Sequence, residues 1–334
     1  MSPFELTGWI ELDGKRLTPK EIEWTLHQSP GLISRFGGEF FLEWDGCRAR
    51  DHFGVIPGNC PKGTLLCRGE PKSRIHPEIP EMALEEAVVE SVKLRSDEGV
   101  VALSGGVDST FVARLAGREC VSVGMEGSHD LAQARRAADL LGLECTFVEI
   151  PAAGIESALP VVLGSIPNRD PVNTGIALTQ YFITRWAGEQ GYRRILTGQG
   201  ADELFGGYSR YLETTTLEAD LARDFAGLEQ QAERDQAIAL LHGTYLSMPY
   251  LDVRVVRAAG SIPACERVCG AQRKIPLRII AERYIPKELA WYGKKAMQYG
   301  SGVAKELRRL ARRNGFKTSV QGYLDHISRV EHGH

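Results

Sequence analysis

The seven cysteines, at positions 47, 60, 67, 120, 145, 265 and 269, never form a CxxC pair. The chain therefore lacks the paired-thiol signature of a structural zinc site. The odd count and irregular intervals predict reduced thiols, as in a cytosol. Cys265 and Cys269 lie four apart and are expected to share a helix face. A basic excess is missing too: 40 Lys and Arg stand against 43 Asp and Glu, for a net charge of −3. Broad nucleic-acid binding is not expected from that balance. The first residues, MSPFELTGWIELDGKR, show no basic stretch followed by an apolar one, so no secretory leader is expected. No apolar run approaches the roughly 18 residues of a membrane span. Internal repeats and low-complexity tracts are also absent. These absences leave a soluble, cytoplasmic protein, and 334 residues suffice for one large domain or two moderate ones.

What is present changes character along the chain. Up to about residue 75 the texture is strand-like and rich in turns. GEFFLEWDGCRARDHFGV alternates apolar and polar residues around Asp45-Gly46, a hairpin signal. NCPKGTLLCRGEPKSRIHPEIP is dense in Pro, Gly and Lys and reads as a connector. From about residue 81 strands alternate with helices. EMALEEAVVESVKL is helical, GVVALS is a buried strand, and a helix runs from about Val107 to Ala116. CVSVG is a second strand, followed by a helix from Asp130, its predicted N-cap, to Leu141, with Gly142 as its stop. ECTFVEI, the helix TGIALTQYFITRWAGEQG and the strand RRILTG complete the alternation. This order predicts an α/β fold with a doubly wound parallel sheet and a mostly helical region from about Leu217.

LSGGVDST, Leu103 to Thr110, reads as a strand end, a two-glycine turn and a helix start. Outward-facing backbone N–H groups and the helix dipole suit an anion there. Ser104, Ser109 and Thr110 add hydroxyl donors. Asp108 fits a phosphate cradle only if a cation joins it, and Mg²⁺ between Asp108 and phosphate oxygens resolves the conflict. The plainer reading is a βα turn that merely needs glycine.

The full string SGGVDS resembles the pyrophosphate-binding loop of the N-type ATP pyrophosphatases. SVGMEGSHDLAQARRAADLLG, TGQGADELFGGY, PYLD (Pro249–Asp252) and RKIPLRIIAERYIPKELAWYGKKAMQYGSG resemble, in order and spacing, the synthetase domain of the asparagine synthetase family over roughly residues 81–310. FGGEFFLEWDGCRARDHFGVIP resembles late strands of the class II glutaminase domain. That domain requires a Cys directly after Met1, where this chain has Ser2 and Pro3. The resemblance thus implies residues 1–75 as a truncated, glutaminase-like β segment without the catalytic Cys, and residues 76–334 as an asparagine-synthetase-like domain of the adenine nucleotide alpha hydrolase-like fold. It implies ATP and Mg²⁺ as cofactors. Adenylation of a carboxylate, aspartate by analogy, would be followed by attack of ammonia or an amine. Nitrogen would come from free ammonia, an amine or a separate glutaminase subunit.

Residue by residue, the resemblance assigns Leu103, Val123 and Gly198 to the adenosine site. It assigns Ser104, Gly105, Gly106, Asp108 and Ser109 to the pyrophosphate loop, and Asp108 and Asp202 to the metal. Lys294 would stabilise charge during adenylation, with Lys295 beside it. The local alternative for Asp202-Glu203 is a capping pair at a helix start. Three positions depart from the family. Gln199 stands where an acid is common, and Gln cannot act as a base. Tyr245 and Ser247 replace a charged Glu and Arg. These departures keep two alternatives open: a synthetase for a different carboxylate or amine, and a non-catalytic ATP-binding regulator.

Overall fold

The computed structural model describes residues 4–293 and 297–332. The chain divides into two compact units. One gathers Met1–Asp97, Gln199–Ala232 and Ser247–Leu277, and the other Glu98–Gly198, Glu233–Leu246 and Arg278–His334.

The second unit is built on the expected parallel sheet. Its central strand, Val100–Ala102, pairs in parallel with Arg194–Leu196 on one side and Cys120–Gly124 on the other. Cys145–Glu149 continues the sheet beyond Cys120–Gly124, and Tyr245–Ser247 lies outside Arg194–Leu196. All five residues of Cys120–Gly124 are buried. Burial at every position, rather than at alternate ones, is what a strand covered on both faces shows. The helix Val107–Ala116 stops at Gly117 and the helix His129–Leu141 at Gly142, both left-handed. Pro171–Glu189 starts where the Asp170 carboxylate accepts from the Val172 and Asn173 amides, with Pro171 in its first turn. Two details differ from the sequence reading. Ser128, not Asp130, is the N-cap of the second helix. A further helix, Ala152–Ser165, forms around Pro160.

The first unit holds a six-stranded antiparallel sheet in the order Lys15–Arg16, Glu5–Leu12, Gly37–Trp44, Cys47–Arg50, Thr64–Cys67, Glu70–Arg74. The expected hairpin is present, with Trp44 opposite Cys47 and both Asp45 and Gly46 at positive φ. That geometry matches the right-handed twist of the strands. The stretch expected as a connector instead forms the last two strands, joined by a second such turn at Arg68-Gly69. Phe36, Phe40, Leu42, Ile10 and Ile22 pack one face of the sheet.

The thiols also differ from expectation. Cys47 and Cys67 face each other across neighbouring strands and form a disulfide, while Cys60, Cys120, Cys145, Cys265 and Cys269 are free. Pairing of the strands brings together two cysteines that are 20 residues apart. Cys265 lies in the short helix Ala264–Arg267 and Cys269 in the strand Val268–Cys269, so they do not share a helix face. Among the described residues no helix is long and apolar enough to cross a membrane.

Candidate active site

In chain order the strands of the second unit run 100–102, 120–124, 145–149, 194–196, yet the last lies beside the first. The order therefore reverses between Val100–Ala102 and Arg194–Leu196. Open α/β sheets bind ligands at such a switch point, outside the carboxyl ends of the strands. Both glycine turns singled out in the sequence leave the sheet there.

The first turn follows Leu103, whose amide donates to Val121 O at 2.8 Å. Gly105 has φ +74°, and a Cβ on it would stand 2.5 Å from the Gln133 carbonyl carbon. No other residue fits that turn without moving the helix His129–Leu141. Ser104 N donates to Ser109 Oγ at 3.1 Å, and the two hydroxyls meet at 3.0 Å. Gly106 then caps the helix from Val107. A Cβ on Gly198 would come within 2.8 Å of Asp108 Cβ and 2.9 Å of Ser109 N. Gly198 is thus bare because the first turn occupies the space. Val123 is buried one strand over. Leu103, Ser104, Gly105, Gly106, Asp108, Ser109, Val123 and Gly198 consequently gather at the carboxyl ends of three adjacent strands.

The segment beyond the switch point is anchored at the same edge. Met125 N donates to Ser301 O at 2.9 Å, Ser301 Oγ meets Thr179 Oγ1 at 3.1 Å, and Gly300 lies against the Asp130 carboxylate. His129 Nε2 is 2.8 Å from Tyr292 Oη. Residues flanking 294–296 on both sides are therefore held at the start of one helix. Lys294 and Lys295 themselves lie outside the described residues. His129 and Tyr292 went unnoticed in the sequence, because nothing local links positions 163 residues apart.

In the first unit, Gln199 precedes the short helix Ala201–Phe205, and Gly200 at its start has φ +87°. Asp202 and Glu203 sit in its first turn, where the helix dipole favours an acid. Asp202 Oδ1 pairs with Lys274 Nζ at 2.6 Å. The Lys274 side chain is only 4% exposed, and its amide is tied to Phe205 O at 3.2 Å. Lys274 stands between Arg273 and Ile275 and carries no local sign of its burial. Glu203 is buried and accepts from Tyr208 Oη and, at 3.0 Å, from Gln231 Nε2. Burial, and secondarily the neighbouring Asp202, push its carboxyl above the ordinary carboxylate range.

The two departures near PYLD are turned inward. Tyr245 is buried and its hydroxyl accepts from Arg194 Nε at 2.6 Å. Ser247 is fully buried and its hydroxyl donates to Glu39. Neither outlines an open amino-acid pocket. Asp252 caps the helix Val253–Gly260 and pairs with Arg95 and Arg254. Burial pushes its carboxyl up, but the two guanidiniums outweigh this and hold it below the ordinary range.

No cluster of three or more His, Cys, Asp or Glu able to hold a metal occurs among the described residues. Mg²⁺ does not need one, since it is commonly held by one or two carboxylates together with substrate phosphates and water. The carboxylate oxygens of Asp108, beside the first turn, are hard donors of the kind Mg²⁺ takes.

The strand order and paired glycine turns define an α/β protein with its candidate site at the switch point. Comparison with known proteins specifies the class further. The asparagine synthase family model matches residues 83–236 and 228–328, and the chain belongs to that family. It is 33% identical to a Methanocaldococcus jannaschii protein named as a glutamine-hydrolyzing asparagine synthetase, over 74% of this chain and 54% of that one. It is 31% identical to carboxyethyl-arginine beta-lactam-synthase of Streptomyces clavuligerus, over 68% and 45%. It is 26% identical to asparagine synthetase B of Escherichia coli, over 66% and 45%. The chain spans about half the length of these relatives.

Proposed function

We propose that this protein is an ATP- and Mg²⁺-dependent, AMP-forming amide synthetase, a carbon–nitrogen ligase of the asparagine synthetase type. What carries the reading is the packing of Gly198 onto Asp108 and Ser109 at the switch point. It leaves bare backbone where a nucleotide's phosphates would lie. Relatives named as asparagine synthetases support the amide-synthetase part of the reading.

In this reading Leu103, Val123 and Gly198 contact the adenosine. Ser104, Gly105, Gly106 and Ser109 receive the pyrophosphate with backbone amides and hydroxyls. Asp108 and Asp202 are the carboxylates for Mg²⁺, which when bound neutralises phosphate charge. Lys294 supplies a fixed ammonium as negative charge develops on the reacting phosphorus. The anchoring of Tyr292 and Gly300 on either side of it supports that role. Gln199 orients the incoming nucleophile without taking its proton. Residues 1–75 serve as a non-catalytic glutaminase-like segment beside a synthetase portion from 76 to 334. Ammonia or an amine arrives directly or from a separate glutaminase. A cytoplasmic location rests on the sequence, and the Cys47–Cys67 bond weighs against it.

Aspartate is the first carboxylate to test. The inward-turned Tyr245 and Ser247 favour a second reading, a synthetase for a different carboxylate or amine. The test is pyrophosphate release with ATP, Mg²⁺ and a panel of carboxylates, with and without ammonium. Release with aspartate and ammonium supports asparagine formation. Release only with another carboxylate transfers the reading to that substrate. ATP binding without release from any carboxylate makes the protein a nucleotide-binding regulator. Gaining ammonia-dependent asparagine formation in Gln199→Glu would locate the lost step at that residue.

A further inference from the structure

We propose that Glu39, a carboxylate of the N-terminal sheet, is the positioning residue for the turn that carries Gln199 and Asp202. The proposed function is needed only for what that turn does in catalysis; the positioning itself rests on geometry within one unit.

Glu39 lies on the strand Gly37–Trp44 and is 1% exposed. A carboxylate at that depth is costly unless its oxygens are satisfied. Four donors satisfy them. One oxygen accepts from Arg95 Nε at 2.9 Å and from Met248 N at 2.7 Å. The other accepts from Ser247 Oγ and from Trp9 Nε1 at 3.3 Å. Two of the four donors therefore belong to residues more than 200 positions away. Arg95 extends the grip, donating to Asp252 Oδ2 at 2.9 Å and to Ser91 O at 2.8 Å. Ser91 Oγ in turn donates to Pro249 O at 2.6 Å. Residues 247, 248, 249 and 252 are all held through this one network.

The held segment meets the catalytic turn with its remaining residues. A Cβ on Gly200 would stand 2.8 Å from Leu251 Cδ2 and 3.6 Å from Tyr250 Cβ. The Tyr250 ring meets Phe205 edge-on at 6.1 Å. Gly200 and Phe205 bracket the helix that carries Asp202, and Gln199 is the residue before it. The path from Glu39 to this turn thus has two steps, one of hydrogen bonds and one of close packing. A displaced 247–252 segment would leave Gly200 without its stop. The N-terminal sheet, on this view, keeps the site in shape rather than feeding it nitrogen.

The test uses the full chain with Glu39→Gln, which keeps size and part of the acceptor capacity, and Glu39→Met, which removes all of it. Hydrogen exchange read by mass spectrometry is compared segment by segment. Amides of 199–207 and 247–252 should exchange about tenfold faster in Glu39→Met and by less in Glu39→Gln, with 100–102 and 120–124 unchanged. In the pyrophosphate assay, KM for ATP should rise about fivefold or more, with kcat changing less. Unchanged exchange at 199–207 overturns the proposal, as does equal acceleration in every segment, which would mark Glu39 as merely structural. Should Glu39→Met fail to fold, Glu39→Gln decides alone. If the wild type releases no pyrophosphate, the functional reading fails while the exchange result still judges Glu39.

Discussion

Lys274 Nζ lies 2.6 Å from Asp202 Oδ1, and the two partners differ sharply in exposure, at 4% and 29%. Removing either one takes a charge from beside the other, and the cost depends on how buried the remaining group is. Asp202→Asn removes a carboxylate charge from beside a buried ammonium and should cost about 3 kcal/mol. Lys274→Met removes a cation from beside a carboxylate that water still reaches and should cost about 1–2 kcal/mol. Urea unfolding of both variants checks the order, and a larger loss in Lys274→Met would contradict it.

Gly198→Ala places a methyl group against Asp108 and Ser109. Overpacking of this kind costs about 1–3 kcal/mol, which a protein of this length survives. The displaced turn should lose nucleotide affinity by at least about tenfold while the unfolding transition stays cooperative. Calorimetric titration with ATP and Mg²⁺ measures this. Unaltered affinity would remove Gly198 from the nucleotide site.

Asp51 accepts from the amides of Val55 and Ile56 at 2.9 and 3.0 Å, yet burial raises its carboxyl from 3.8 to about 6. A folded pKa above the unfolded one means the proton is held more tightly in the native state. The resulting stabilisation is full below about pH 4 and is lost as pH rises through about 6, a change of about 3 kcal/mol. Asp252 has the opposite sign: its carboxyl is lowered, so its contribution is present above pH 4 and lost in stronger acid. Asp51→Asn should therefore flatten the stability profile between pH 4 and 6. A parallel profile would refute the assignment.

The disulfide closes a loop between Cys47 and Cys67. Cys47→Ser should cost about 3 kcal/mol by the chain-entropy account. Unreduced protein unfolded in guanidinium should titrate five thiols, matching the five free cysteines. Seven would show the bond absent.

Much of the unit built on the parallel sheet could be read directly because its signals are local. Short apolar runs, glycine stops and the Asp170-Pro171 start each lie within a few residues of what they specify. The helix Val107–Ala116 and the strand Cys120–Gly124 follow from such signals. The strands Thr64–Cys67 and Glu70–Arg74 escaped because their Pro, Gly and Lys resemble a linker, while their partners supply the pairing. The Cys47–Cys67 bond escaped for the same reason. Glu39 and Lys274 escaped because a buried charge is defined by distant neighbours, and neither leaves a local mark. Only the family resemblance singles out Gln199 and Asp202, since an acidic pair after glycines is also how many helices begin.

The contact between Glu39 and Ser247 spans 208 positions. A ribosome adding about 5–20 residues per second needs on the order of 10–40 s to cover that distance. The neighbouring strands of the N-terminal sheet can pair as they emerge. Throughout that interval the face bearing Glu39 waits for a segment not yet synthesised. Slower translation past residue 100 should lengthen the exposure of this nascent sheet to chaperones, and its maturation should be timed by the arrival of residues 247–252.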